Sequence, residues 1–347
     1  MHTTPILPNA GPSRLSRQHS WAGQPGRRGL QPNSRNLSLA LQGGGSFGAF
    51  TWGVLDRLLE EDALRLDMVS GTSAGAVNAA LLASGLAEDG PAGARRRLES
   101  FWTTLANLAP LGGWNLGVPG AALMTVLEIS THVVSPYQLN PLGLNPLRDL
   151  LLREVDFERL RAAKPVRLLI AATRVRDGQL RLFREDEITI EAVLASACLP
   201  LIQHAVEIDG EAYWDGGFSA NPPLRQLALD TQAADVVLVQ IMPEEYEGKP
   251  QAAVDISRRA SIMAFNASLQ REIDAVNDLR RGCQNAGIFS SQECRKLKRL
   301  RLHRIAAVDS VEGLAQASML NTDPKFLHDL KESGRAAAQE WLSQPLS

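Results

Sequence analysis

Residues 37–50 read Leu37-Ser38-Leu39-Ala40-Leu41-Gln42-Gly43-Gly44-Gly45-Ser46-Phe47-Gly48-Ala49-Phe50. The first five form a short apolar run of the kind that becomes a buried strand. The three glycines then break it, and Phe50, Val54, Leu55, Leu58 and Leu59 recur at the spacing of a helix over 48–61. The same pattern follows at once. Residues 66–69 are read as a second short strand, Gly71-Thr72-Ser73-Ala74-Gly75 as a second tight turn, and an alanine-rich segment to about residue 84 as a second helix. Near-continuous apolar runs at 166–172 and 236–241 suit strands buried on both faces, as in a parallel sheet. Strand, turn and helix in this order predict one α/β layered domain with a central, mainly parallel sheet.

Outward from these segments, residues 179–183 are read as a short strand and 188–196 as a helix ended by Pro200. The positions Ile256, Ile262, Phe265, Leu269, Ile273, Val276 and Leu279 mark one long amphipathic helix. The basic stretch 295–304 is read as a half-buried strand, because Leu300 and Leu302 alternate with charged neighbours. Asp323-Pro324 starts a last helix, an aspartate cap before a first-turn proline.

Charge and cysteine content exclude several function classes. The chain has 347 residues with 36 basic and 38 acidic side chains, a formal net charge of −2. A general nucleic-acid binder would need a basic excess. Three cysteines are too few for a disulfide framework and lack metal-site spacing. Cys283 and Cys294 are read as reduced thiols, a bridge between them being the alternative. No cofactor or metal is expected.

Two segments depart from the average. Residues 1–36 hold five arginines, five prolines and no acid, so they are expected to be a disordered basic tail, without the apolar core of a secretory signal. Residues 100–147 contain a single charge, Glu128. Prolines and glycines interrupt the run, which argues against a membrane helix. It is read as a lid or acyl-pocket region in contact with lipid, or as a buried insertion. Cytoplasmic or peripheral-membrane residence is the default expectation, with signal-free export left open.

The chemistry concentrates at the two turns. A serine flanked by small residues in Gly-x-Ser-x-Gly spacing suits a sharp strand-to-helix turn that exposes its hydroxyl, and Ser73 is the candidate nucleophile. The triplet Gly43-Gly44-Gly45 can direct backbone N–H groups at an anion, an acyl-transfer oxyanion or a phosphate. It lacks the Lys-Ser/Thr of a nucleotide loop, and the next turn is a serine elbow rather than an acid that would grip ribose. A proton acceptor is needed. Asp215, in Trp214-Asp215-Gly216-Gly217, is one candidate; Asp209 is a competitor, and His303 could complete a conventional triad.

Taken with Ala195-Ser196-Ala197-Cys198-Leu199-Pro200, these motifs resemble the patatin-like phospholipase family in content and order. The resemblance spans roughly residues 37–240, and the acyl hydrolase domain is expected over 37–345. It implies a three-layer α/β/α fold and a Ser-Asp dyad that cleaves lipid acyl esters, of phospholipase A or lysophospholipase type. Ser73 would be the nucleophile, Asp215 its activating partner, and the amides of Gly43, Gly44 and Gly45 the oxyanion hole. The implied partner is a phospholipid or other acyl-ester substrate, with transient contact to a membrane surface and no nucleic acid. The chain departs from the family at Phe47, where a lysine or arginine is usual. The alternatives are a soluble carboxylesterase and a non-catalytic lipid-binding protein.

Overall fold

The computed structural model describes residues 35–114, 135–244, 248–285, 291–307 and 319–344. The strands are β1 (Arg35–Leu41), β2 (Leu64–Thr72), β3 (Arg167–Arg174), β4 (Leu180–Arg184), β5 (Val206–Ile208), β6 (Glu211–Asp215), β7 (Asp235–Gln240) and β8 (Arg301–Ala306). The helices are α1 (Gly48–Leu58), α2 (Ala74–Trp114, broken at Asp89 and Gly90), α3 (Pro136–Leu139), α4 (Pro146–Glu154), α5 (Phe157–Ala163), α6 (Ile190–Ser196), α7 (Leu224–Asp230), α8 (Ala253–Asn285), α9 (Gln292–Arg299) and α10 (Pro324–Ser343). Short 3₁₀ turns cover Gly45–Phe47 and Gly216–Phe218.

The strands form one sheet in the order β5-β6-β3-β2-β1-β7-β8, with β4 also paired to β3. From β3 to β8 the neighbours run parallel. The pairs involving β4, β5 and β6 are antiparallel.

Alternation along β1 assigns helices to both faces. Leu37, Leu39 and Leu41 pack with side chains of α1, α2 and α10 in one core. Ala40 points the other way, with Met68, Leu169, Val236 and Leu238, against α7, α8 and α9. The result is the expected three layers, a mainly parallel sheet between two helical ones.

The pairing of β3 decides what the sheet does. One edge of β3 is covered by β4. Along its other edge, β2 pairs with Arg167 to Ala171 and ends with Thr72 opposite Ala171. From Ala172 onward that edge passes to β6, which arrives antiparallel and ends with Asp215 opposite Ala172. Ser73, the residue after Thr72, and Asp215 therefore meet where β3 changes neighbours.

Two readings of the sequence need correction. Residues 292–299 are helical, because the Ser291 side chain accepts the Cys294 N–H as an N-cap and Leu297 is buried beneath the helix. Only 301–306 is strand, so the Leu300/Leu302 alternation described just the second part of the basic stretch. Cys283 and Cys294 are joined in a disulfide, with Cα atoms 5.0 Å apart, that ties the end of α8 to α9. The cap at Asp323 is present, its side chain accepting the Phe326 N–H at 2.9 Å.

Of the low-charge stretch, 100–114 completes α2, with Phe101, Trp102 and Ala106 in the core. Residues 115–134 lie outside the described residues, as does the basic tail through residue 34. No helix among the described residues is long and apolar enough to cross a membrane.

Candidate active site

Ser73 sits between β2 and α2 with φ +54°, a left-handed conformation that is strained for a residue with a side chain. The flanking glycines make the turn possible. A Cβ on Gly75 would lie 2.1 Å from the Leu41 carbonyl oxygen of β1, and one on Gly71 2.5 Å from that of Gly75. The Ser73 N–H donates to Ser196 Oγ at 3.0 Å. The Thr72 hydroxyl donates to the Ala220 carbonyl at 2.7 Å. Both bonds hold the strand end, leaving the Ser73 hydroxyl to the site.

Asp215 is fully buried at the end of β6. Its Oδ1 accepts the Gly217 N–H at 2.8 Å, while Oδ2 has no formed hydrogen bond although it is shielded from solvent. Burial pushes its pKa up to about 7. The Ser73 hydroxyl and the Gly217 N–H act in the opposite direction and limit that rise. The serine thus lies near enough to act on the carboxylate while one oxygen remains open. In a free enzyme such catalytic bonds are often long.

The segment 195–200 clasps both residues. Ser196 holds the Ser73 amide, and the Cys198 carbonyl accepts the Asp215 N–H at 2.8 Å. Cys198 itself is buried, its thiol pointing at the His204 carbonyl at 3.0 Å. Burial, with the nearby Asp215 charge adding to it, raises that thiol to about 12, so it stays protonated and inert.

The glycine loop stands directly over the serine. A Cβ on Gly43 would approach the Ser73 Cβ to 2.6 Å. Asn221 clamps Gly43 from both sides, accepting its N–H at 2.7 Å and donating to its carbonyl at 3.4 Å. The Gly43 amide is therefore committed to Asn221. Among the described residues, the amides of Gly44 and Gly45 donate to no protein acceptor. Gly45 adopts φ +58°, and a Cβ there would lie 2.2 Å from the Met319 carbonyl oxygen. Gln42 anchors the strand side, its Oε1 accepting the N–H groups of Ile241 and Met242. Phe47 is buried edge-on to Phe326 of α10, with ring centres 6.2 Å apart. Apolar packing holds the position that is usually basic.

The competing candidates lie elsewhere. Asp209 is exposed in the β5–β6 turn with φ +52°. His303 Nε2 is 2.7 Å from Asp235 Oδ1, in a cluster with Arg301 and Arg35. Among the described residues no group of three or more His, Cys, Asp or Glu side chains could hold a metal ion. Sequence reasoning missed the parts played by Asn221 and Ser196. Asn221, next to Pro222 and Pro223, has no local signal of such a role, and Ser196 stands in the 195–200 motif without one.

The patatin-like phospholipase profile matches residues 39–228, which is more than half of the chain. No curated protein is a significant match. Among solved structures, the chain is similar to VipD from Legionella pneumophila, with 16% identity and a TM-score of 0.41, over 90% of this chain and 67% of that one. It is also similar to a chain of the heterodimeric ExoU–SpcU complex from the type III secretion system of Pseudomonas aeruginosa, with 15% identity and a TM-score of 0.29, over 90% of this chain and 76% of that one. The extent of the profile match fixes the relationship: this chain belongs to the patatin-like phospholipase family and is a lipid acyl hydrolase.

Proposed function

We propose that the chain hydrolyses phospholipid or lysophospholipid acyl esters with a two-residue catalytic centre, Ser73 and Asp215, through an acyl-enzyme. The observation that carries this reading is the meeting of a strained, small-flanked serine with a buried carboxylate whose second oxygen is unpartnered. A base with a pKa of about 7 is matched to work near neutral pH.

Asp215 takes the hydroxyl proton as Ser73 Oγ bonds to the acyl carbonyl carbon. The amides of Gly44 and Gly45 receive the oxyanion, and Asn221 acts by fixing the loop through Gly43. The tetrahedral intermediate collapses as Asp215 returns the proton to the departing alcohol. Water, deprotonated by the same carboxylate, then attacks the acyl-serine and releases the fatty acid.

The test is fatty-acid release from diacyl phospholipids, lysophospholipids and short soluble acyl esters. Release from the first two identifies phospholipase A and lysophospholipase action. Turnover of the soluble esters alone would assign a carboxylesterase instead, and no release from folded protein would remove the catalytic reading.

Asn221→Ala tests the loop clamp. It leaves the buried Gly43 N–H without an acceptor, a loss of ~1–3 kcal/mol in stability. Freeing the loop by a fraction of an ångström should lower kcat by ~10–10²-fold with KM nearly constant, since oxyanion donors act on charge that develops only in the transition state. Steady-state kinetics on a soluble ester and a melting curve read both effects.

A further inference from the structure

The amides of Gly44 and Gly45 lie between two tethers. On one side Asn221 accepts the Gly43 N–H. On the other, the Ser46 N–H donates to the Met319 carbonyl at 2.8 Å, and the Phe47 N–H turns back to the Gly44 carbonyl at 3.2 Å. Asn221 falls within the residues that the family profile matches, which end at 228. Met319 lies well beyond them, so the second tether is supplied by a part of the chain that the family motifs do not describe.

That tether is a built turn. Asn321 Oδ1 accepts the Asp323 N–H at 3.0 Å, and Asp323 Oδ1 accepts the Phe326 N–H as the cap of α10. The two bonds fix the path from Met319 into the first turn of α10. α10 is seated in turn on α1, the helix that leaves the glycine loop. A Cβ on Gly53 of α1 would lie 1.9 Å from the Lys331 carbonyl oxygen, and one on Gly334 of α10 would lie 2.1 Å from that of Phe50. Backbones this close leave α10 no room to shift along α1.

Side chains complete the brace. Phe47 is 1% exposed and meets the Phe326 ring edge-on, and both Phe326 and Met319 pack against the core that contains Phe47. The Met319 carbonyl also closes the back of Gly45, where a Cβ would collide with it. Donors aimed at a developing oxyanion lose much of their effect when they move by a fraction of an ångström. A loop of three glycines has no side chains of its own to hold it that still.

We infer that the 319–326 turn positions the oxyanion hole, and that Phe326 is a positioning residue: held behind Ser46 and Phe47, it fixes where the Gly44 and Gly45 amides point. The inference rests on the reading of those amides as oxyanion donors.

The experiment compares full-length wild type, Phe326→Ala and Phe326→Leu. Three quantities are measured: kcat and KM on a short soluble ester, inhibition by a trifluoromethyl ketone whose adduct with a serine carries an oxyanion, and binding of a nonhydrolysable ether analogue of the ester. In Phe326→Ala, kcat and ketone affinity should fall together by ~10–10²-fold, with KM and ether affinity unchanged. Phe326→Leu keeps most of the apolar contact and should recover most of both. A residue that merely filled the core would lower the melting temperature and leave kcat and ketone affinity of the folded protein at wild-type values, which would overturn the inference. An equal loss of ether affinity would also overturn it, by assigning Phe326 to substrate binding. Should Phe326→Ala fail to fold, Asp323→Ala removes only the cap bond and should lower kcat and ketone affinity together by a smaller factor; wild-type kinetics there would overturn the inference. A wild type that turns over no ester defeats the catalytic reading and this inference with it, whereas wild-type turnover with unchanged kcat in Phe326→Ala defeats this inference alone.

Discussion

Ser73→Ala lowers kcat for acyl-ester hydrolysis by ~10⁴–10⁶-fold, the scale found when a serine nucleophile is removed from a hydrolase. The loss belongs to kcat because the methyl side chain leaves the substrate's contacts in place and removes only the atom that forms the acyl-enzyme. Folding should be nearly unaffected. Alanine at φ +54° has much the same backbone strain as serine, and the amide bond to Ser196 does not involve the side chain. The hydroxyl does hold the Asp215 pKa down, so without it the carboxyl becomes a weaker acid. Single-turnover assays with wild type and Ser73→Ala, paired with melting curves, measure both effects. Retention of more than a hundredth of the wild-type rate by a pure Ser73→Ala sample would rule out Ser73 as nucleophile.

Asp215→Asn separates activity from stability. The asparagine carbonyl can still accept the Gly217 N–H, but the amide cannot take a proton, so kcat falls by about 10³-fold or more. Stability moves the other way. The folded-state pKa of about 7 lies above the ordinary value of 3.8. The folded protein therefore binds this proton more tightly than the unfolded chain does. That contribution is fully present below pH ~4 and is lost as pH rises through ~7. Above neutrality the wild type holds a fully buried charge, which the asparagine removes. The gap between the two pKa values corresponds to about 4 kcal/mol. Asp215→Asn should thus unfold at higher denaturant concentration than wild type at pH 8, with the difference vanishing near pH 4. Wild-type kcat/KM should rise with pH as a single proton leaves near 7. Equal midpoints at pH 8, or a flat rate profile, would mean that the carboxyl is not held in this state.

The legible part of the fold is the part made by local patterns. Gly43–Gly45 and Gly71–Gly75 punctuate apolar runs so sharply that both strand–turn–helix units can be read from neighbouring residues. The site's reactive groups are visible for the same reason, since the small residues around Ser73 are required by contacts within their own turn. What the sequence hides is long-range. Asn221 reaches Gly43 across 178 residues and Ser196 reaches Ser73 across 123, and nothing local marks either side chain for its role. That is why all three glycine amides looked equally available, although the first is already committed. The Cys283–Cys294 bridge was obscured differently. The strand expected over 295–304 concealed the helix beginning at Gln292, whose first turn brings Cys294 to the end of α8.

The handover along the β3 edge has a consequence for how this chain can change in length. Side chains alternate faces along a strand, so a single residue inserted between Tyr213 and Asp215 would turn the carboxylate to the opposite side of the sheet. An insertion at Asp209–Gly210 would only enlarge an exposed hairpin tip and leave the β6 pairing in place. Length variation is therefore confined to the far end of the hairpin, while the five residues of β6 act as a ruler whose reading is all or nothing.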